Sequence, residues 1–253
     1  MDVVDLGEFY SSKLGQVTRR LIAHRVRSRW KSLKGANVLG LGYAHPYLDV
    51  WKNEAQSVFN FMPARLGATH WPSGSKANPK SGLTALVDES TLPLDDGSID
   101  FALLVHCVEL THHLPDMLNE LWRVMSPQGK IVIIAPNRRG MWARFDNTPF
   151  GHGRPFSRSQ VTQNLREAKF IPSGWSNAVF IPPMPQRFLL RSAPAIERAG
   201  MWLSPGFSGV LIVEATKQIY STVRKKSAKP AFRRINPQAA TARVLQSSDP
   251  RAL

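Results

Sequence analysis

Residues 92–104 read Leu92-Pro93-Leu94-Asp95-Asp96-Gly97-Ser98-Ile99-Asp100-Phe101-Ala102-Leu103-Leu104, and residues 118–130 read Leu118-Asn119-Glu120-Leu121-Trp122-Arg123-Val124-Met125-Ser126-Pro127-Gln128-Gly129-Lys130. Asp95 to Ser98 has turn chemistry, because Asp and Ser bond their own backbone and glycine accepts left-handed angles. The run Ile99 to Val105 that follows is strand-length and wholly apolar from Phe101 on, and continuous apolarity marks a strand covered on both faces. Pro115 to Met125 predicts a helix with proline in its first turn. Pro127-Gln128-Gly129 reads as a turn and Lys130 to Ala135 as another buried strand. Two buried strands joined through a helix form the repeating unit of a parallel sheet.

Working outward, the same alternation continues. Asn37 to Gly42 is a short strand ending in glycine, and Pro46 to Ala55 predicts a helix. Ser57 to Met62 is a strand closed by Pro63, and Leu83 to Val87 another. Beyond Ala135 a long loop runs from Pro136 to Pro155. Ser157 and Gln160 form a capping box for a helix through Ala168. The Pro-rich segment 170–209 is ambiguous, with Gln186 to Ala199 open to a helix, and Val210 to Ala215 is a last strand. Upstream, Tyr10, Leu14, Val17, Leu21, Ile22, Val26, Trp30 and Leu33 fall at helical spacing, which predicts an amphipathic helix with an interruption near Gly15. Three parts result: a basic helix over 1–35, an α/β domain over 36–219, and a polar basic tail over 220–253 read as disordered.

The net charge of +15 is confined to the ends. Residues 11–36 hold eight Lys and Arg and no acid, residues 220–253 hold eight and one acid, and the rest balances. Such ends attract phosphates, anionic surfaces or a protein partner without specifying one. Whether the first helix packs on the domain or presents a lipid- or phosphate-binding face stays open at this level. Cys107 is the single cysteine, so no internal disulfide forms. No long apolar run and no apolar leader are present, and the expected location is the cytoplasm.

The ordered set formed by the 92–104 turn and strand and the Glu120-x-x-Arg123-Val124 helix ending in Pro127-x-Gly129 resembles class I S-adenosylmethionine-dependent methyltransferases of the type-11 group. The resemblance extends over roughly residues 35–170. It implies an α/β fold that is Rossmann-like and doubly wound, with a mostly parallel sheet, an antiparallel edge strand and, here, an N-terminal amphipathic helix. It implies S-adenosyl-L-methionine as cofactor and methyl transfer as the activity. The cofactor positions it suggests are Gly40, Gly42, Tyr43, Asn60, Asp88, Glu89 and His106. The family has an acid where this chain has Gly40, glycines where it has Ala44 and Pro46, and an acid where it has Asn60. Gly42 and Asp88 follow the pattern. These departures support a second reading, a non-catalytic module of the same fold that binds a protein or nucleic acid.

Methyl transfer needs alignment more than it needs a base, and a base helps where the acceptor loses a proton. His106, just past the fourth strand, is the candidate for that role, against the simpler reading of a structural histidine. His112 and His113 lack metal-ligand spacing, so no metal site is expected. The 136–155 loop reads either as a substrate lid, with Arg138, Arg139, Trp142 and Arg154 facing an anionic or aromatic acceptor, or as a loop folded down with its aromatics in the core.

Overall fold

A computed structural model describes residues 1–69, 71, 83–203 and 205–219. The tail expected over 220–253 lies outside them. The strands are β1 (Asn37–Gly42), β2 (Ser57–Pro63), β3 (Leu83–Val87), β4 (Ile99–Val105), β5 (Met125–Pro136), β6 (Phe170–Ala178) and β7 (Val210–Lys217). The helices are α1 (Val3–Ser11), α2 (Lys13–Arg29), α3 (His45–Leu48), α4 (Leu114–Val124), α5 (Arg158–Glu167), α6 (Arg187–Arg191) and α7 (Ala193–Leu203).

The strands form one sheet in the order β3-β2-β1-β4-β5-β7-β6. The first five are parallel, while β7 runs antiparallel to both β5 and β6. The strand order reverses between β1 and β4, and ligands of open α/β sheets sit at the carboxyl ends of the strands at such a reversal. Alternate residues of β1 point to opposite faces, as the period of two requires. Val38 joins a core with Leu6, Tyr10, Ile22, Val26, Val58, Met62, Leu103 and Ile212. Leu39 and Leu41 join the opposite core with Met117, Leu118, Leu121, Val161 and Leu165. Each fully buried Leu or Ile in these layers contributes about 1.5–3 kcal/mol.

The amphipathic segment is two helices. Asp2 caps α1 by accepting from the amides of Val4 and Asp5, and Asp5 accepts from the Asp2 amide in return. Ser12, in an extended conformation, ends α1 and caps α2 by accepting from the Gly15 amide. Leu14, Ile22 and Val26 of α2 are buried in the domain core while Lys13 and Arg20 stay exposed. Packing on the domain therefore uses up the apolar stripe.

Where sequence and structure differ, tertiary contacts explain it. The helix expected over Pro46–Ala55 is a single turn, α3, followed by further turns. Trp51 is drawn into the core, and Glu54 is tied away from the helical path: its carboxylate accepts from the Leu33 amide at 2.8 Å, and its carbonyl from the Gly35 amide at 3.3 Å. The turn expected at 127–129 lies within β5, which starts as soon as α4 ends because Met125 pairs with Ile99. The ambiguous stretch from residue 170 holds β6, an edge strand with a register shift between Pro172 and Gly174, where proline is tolerated. The Ser157–Gln160 capping box of α5 forms as read.

Candidate functional site

β1 must leave the sheet close to β4, and Gly42 makes this possible. Its φ is +84°, and a Cβ there would lie 2.2 Å from the Val105 carbonyl oxygen. The next amide, of Tyr43, donates to that same oxygen at 2.8 Å. At Gly40 a Cβ would meet Leu48 at 2.5 Å and Ala44 at 2.8 Å, so α3 packs into the space that an acidic side chain would need.

Across the switch point, His106 leaves β4 with φ +49°, a left-handed conformation uncommon for a non-glycine residue. Its Nδ1 lies 3.1 Å from Oε1 of Glu109, and its Nε2 lies 2.9 Å from the hydroxyl of Tyr10 on α1. The Tyr10 hydroxyl is in turn 2.9 Å from that of Tyr47. All four side chains are buried. Burial, and then the neighbouring Tyr47, push the Tyr10 phenol well above its ordinary pKa, and burial raises Tyr47 as well, so both remain protonated. An ionised carboxylate only accepts. With a neutral imidazole, Nδ1–H therefore donates to Glu109, and Nε2 accepts from Tyr10, which accepts from Tyr47. The second oxygen of Glu109 is buried with no hydrogen-bond partner. Tyr10 also stacks on Tyr43, with centroids 5.3 Å apart, and Phe150 lies 4.7 Å from the His106 ring.

At the end of β3, Asp88 is exposed, and its carboxylate accepts from the Ser90 hydroxyl at 2.6 Å and the Ser90 amide at 2.9 Å. These bonds favour the ionised form and lower its pKa. Its neighbour Glu89 is buried, accepts from Thr111 at 3.1 Å and pairs with Arg65. Asn60 stands apart. β2 continues to Pro63, so Asn60 lies inside the strand, level with Gly40; its side chain is enclosed and donates to Thr84 at 3.2 Å.

The 136–155 loop is folded onto the body. Trp142 is buried and donates its indole N–H to the Ile181 carbonyl at 2.7 Å, and Phe150 is buried too. Arg138, Arg139 and Arg154 are exposed. The Arg154 amide clips the loop to the Glu109 carbonyl at 2.8 Å. Arg139, Ser157, Arg158, Ser159 and Asn177 line an open groove beyond the end of β5. His112 and His113 are exposed, and no group of metal-ligating residues occurs among the described residues. The buried Cys107 thiol is pushed far up by burial and does not suit a nucleophile.

The structure thus brings together Gly42, Tyr43 and His106 from the sequence reading. It adds Tyr10 and Tyr47, and sets Glu109, which the sequence offered as a pocket or turn-capping residue, against His106. Tyr10 and Tyr47 were not identifiable from sequence, since Tyr10 reads as one more member of an apolar helical stripe.

Residues 27–133 match a family described as a methyltransferase domain. No curated relative matches the chain in sequence. Among solved structures, it is similar to a methyltransferase from Thermotoga maritima described as a possible histamine N-methyltransferase, at TM-score 0.58 and 16% identity, over 85% of this chain and 96% of that one. It is also similar to the [4+2]-cyclase SpnF, at TM-score 0.56 and 16% identity, over 79% and 80% of the two chains. A third is the geranyl diphosphate C-methyltransferase of Streptomyces coelicolor, solved with Mg²⁺, geranyl diphosphate and S-adenosyl-L-homocysteine, at TM-score 0.54 and 14% identity, over 77% and 76%. The family match and the strand order agree with the resemblance drawn from residues 92–130: this chain contains a class I S-adenosylmethionine-dependent methyltransferase domain.

Proposed function

We propose that the chain moves the methyl group of S-adenosylmethionine to a hydroxyl acceptor, with His106 as general base and Glu109 as the group that positions it. The observation carrying this reading is the buried Glu109–His106–Tyr10 array at the carboxyl end of β4, beside the Gly42 turn. A carboxylate on Nδ1 fixes the tautomer in which Nε2, here accepting from Tyr10, is the basic nitrogen. The second Glu109 oxygen, buried without a hydrogen-bond partner, costs about 1–3 kcal/mol.

The residues present fit the cofactor at two of three points. The exposed, ionised Asp88 suits an adenine amino group, a partner that strengthens the bond by its charge. Tyr10 stacked on Tyr43, and Phe150 against the His106 ring, put aromatic rings beside the Gly42 turn, and aromatic faces attract a sulfonium cation. The third point departs: the enclosed Asn60 is not placed to grip a ribose, and no acid ends β2. When bound, the cofactor supplies an activated methyl whose leaving group is a neutral thioether. Tyr10 occupies Nε2 of His106 here, so an acceptor hydroxyl reaches that nitrogen by displacing Tyr10 with its helix α1. The exposed Arg139 and Arg158 at the groove suit an anionic acceptor.

Calorimetric titration with S-adenosylhomocysteine tests the cofactor site. Saturable micromolar binding, weakened about ten- to hundredfold in Asp88→Ala, is expected, one charge-assisted hydrogen bond being worth about 1.5–3 kcal/mol. No heat at millimolar ligand from folded protein would overturn the reading in favour of a non-catalytic module. Asp88 is the clean probe, because a Gly42 variant loses its backbone packing whether or not a ligand binds.

A further inference from the structure

Between β6 and β7 the chain inserts α6 and α7 and the short 3-10 turn Pro205–Phe207. The inner side of α7 is firmly seated. Ala193 and Glu197 are buried, and the Glu197 carboxylate accepts from the amides of Val179 at 3.0 Å and Phe180 at 2.9 Å. The guanidinium of Arg25, on α2, lies against the Met201 thioether. The outer side is different. Phe188 is 67% exposed, Trp202 84%, Leu203 68% and Phe207 67%. Pro194, Ala195 and Ala199 complete the outward face of α7. Large apolar side chains gathered at one place on a surface mark an interaction site, whereas scattered ones do not.

Charge says what covers it. Between residues 184 and 207 the charged residues are Arg187, Arg191, Glu197 and Arg198. All three arginines are exposed, and the one acid is buried against backbone amides. The face is therefore apolar and aromatic with a purely cationic exposed fringe. An anionic bilayer presents the complement: acyl chains beneath a layer of phosphates. Tryptophan favours that boundary, and arginine extends its head to phosphate while its stem covers apolar surface. No helix among the described residues is long and apolar enough to cross a membrane, so the contact is interfacial.

We propose that the α6–α7 insert docks the protein on anionic phospholipid surfaces, with Trp202, Leu203 and Phe207 entering the headgroup boundary and Arg187, Arg191 and Arg198 contacting phosphates. This surface is separate from the methyl-transfer site and does not depend on that assignment.

The test uses the full chain with vesicles of phosphatidylcholine alone and with 30 mol% phosphatidylglycerol, read by co-sedimentation, tryptophan emission and, for the free protein, sedimentation velocity. Wild type is expected to bind only the anionic vesicles, with a blue shift from Trp202. Trp202→Ser with Phe207→Ser, both at exposed positions, is expected to lower partition about tenfold or more, given the apolar area two aromatics carry. Arg191→Ala with Arg198→Ala is expected to weaken it as well. Absence of wild-type binding would overturn the proposal. So would unchanged partition of the aromatic double variant, since the basic tail alone would then account for attraction. A wild-type dimer that the same double variant converts to monomer would overturn it in favour of a second copy of this chain.

Discussion

The hydroxyl of Tyr10 lies 2.9 Å from Nε2 of His106, although 96 residues separate them, so the N-terminal helix supplies a group to the end of the fourth strand. Tyr10→Phe keeps the ring stacked on Tyr43 but strips Tyr47 and His106 of their shared partner. A loss of about 1–3 kcal/mol is expected. For a chain of this size each kcal/mol lowers Tm by about 2–4 °C. Thermal melts of wild type and variant check this; an unchanged Tm would mean the buried hydroxyl chain contributes nothing to stability.

Two glycines with positive φ separate strain from collision. At Gly42 an added methyl meets the Val105 carbonyl at 2.2 Å, whereas at Gly97 (φ +67°) the nearest atom is the Met125 carbonyl at 4.0 Å. Gly97→Ala carries only the conformational penalty, about 1 kcal/mol. Gly42→Ala carries that and a backbone shift, and should cost at least about twice as much. Urea midpoints of the two variants give the comparison.

His45 sets a pH dependence. Burial lowers its pKa from 6.5 to about 4, partly opposed by Asp49, and its Nδ1 is buried without a hydrogen-bond partner. The unfolded chain thus binds a proton that the folded chain refuses. The contribution of neutral His45 is fully present above pH 6.5 and is lost as pH falls from 6.5 toward 4. Wild-type Tm should drop more between pH 7 and pH 5 than that of His45→Asn. Equal drops in the two proteins would assign the acid sensitivity to other groups.

Glu197 holds a strained turn. Val179 has φ +65°, unfavourable for a β-branched residue, and the two amides bound by Glu197 are its own and that of Phe180. Burial raises the Glu197 pKa, opposed by those two bonds. Glu197→Ala leaves two amides without their acceptor and should cost about 2–4 kcal/mol. Glu197→Gln, with one oxygen kept, should cost less. Equal stability of the two variants, by denaturant titration, would show that the carboxylate does not hold the turn.

The sequence by itself determined the layered sheet. Buried strands such as Ile99–Val105 are mostly apolar runs, the Asp95–Ser98 turn and the Ser157–Gln160 cap are local chemistry, and local chemistry is readable from neighbours in the chain. It also pointed to the end of β4, with His106, as a candidate site. Tertiary structure alone decided the rest. The length of α3 was set by Trp51 entering the core and Glu54 bonding Leu33, contacts between distant residues that outweigh helix propensity. Asn60 fell inside β2 because strand pairing, not residue counting, fixes where a strand ends. Trp142 and Phe150 of the 136–155 loop went into the core and its arginines to water, an alternative that composition left open. The partners of His106, and the apolar outer face of α7, depend on which surfaces meet after folding. Side chains ninety residues apart carry no mutual signal until packing brings them within a hydrogen bond.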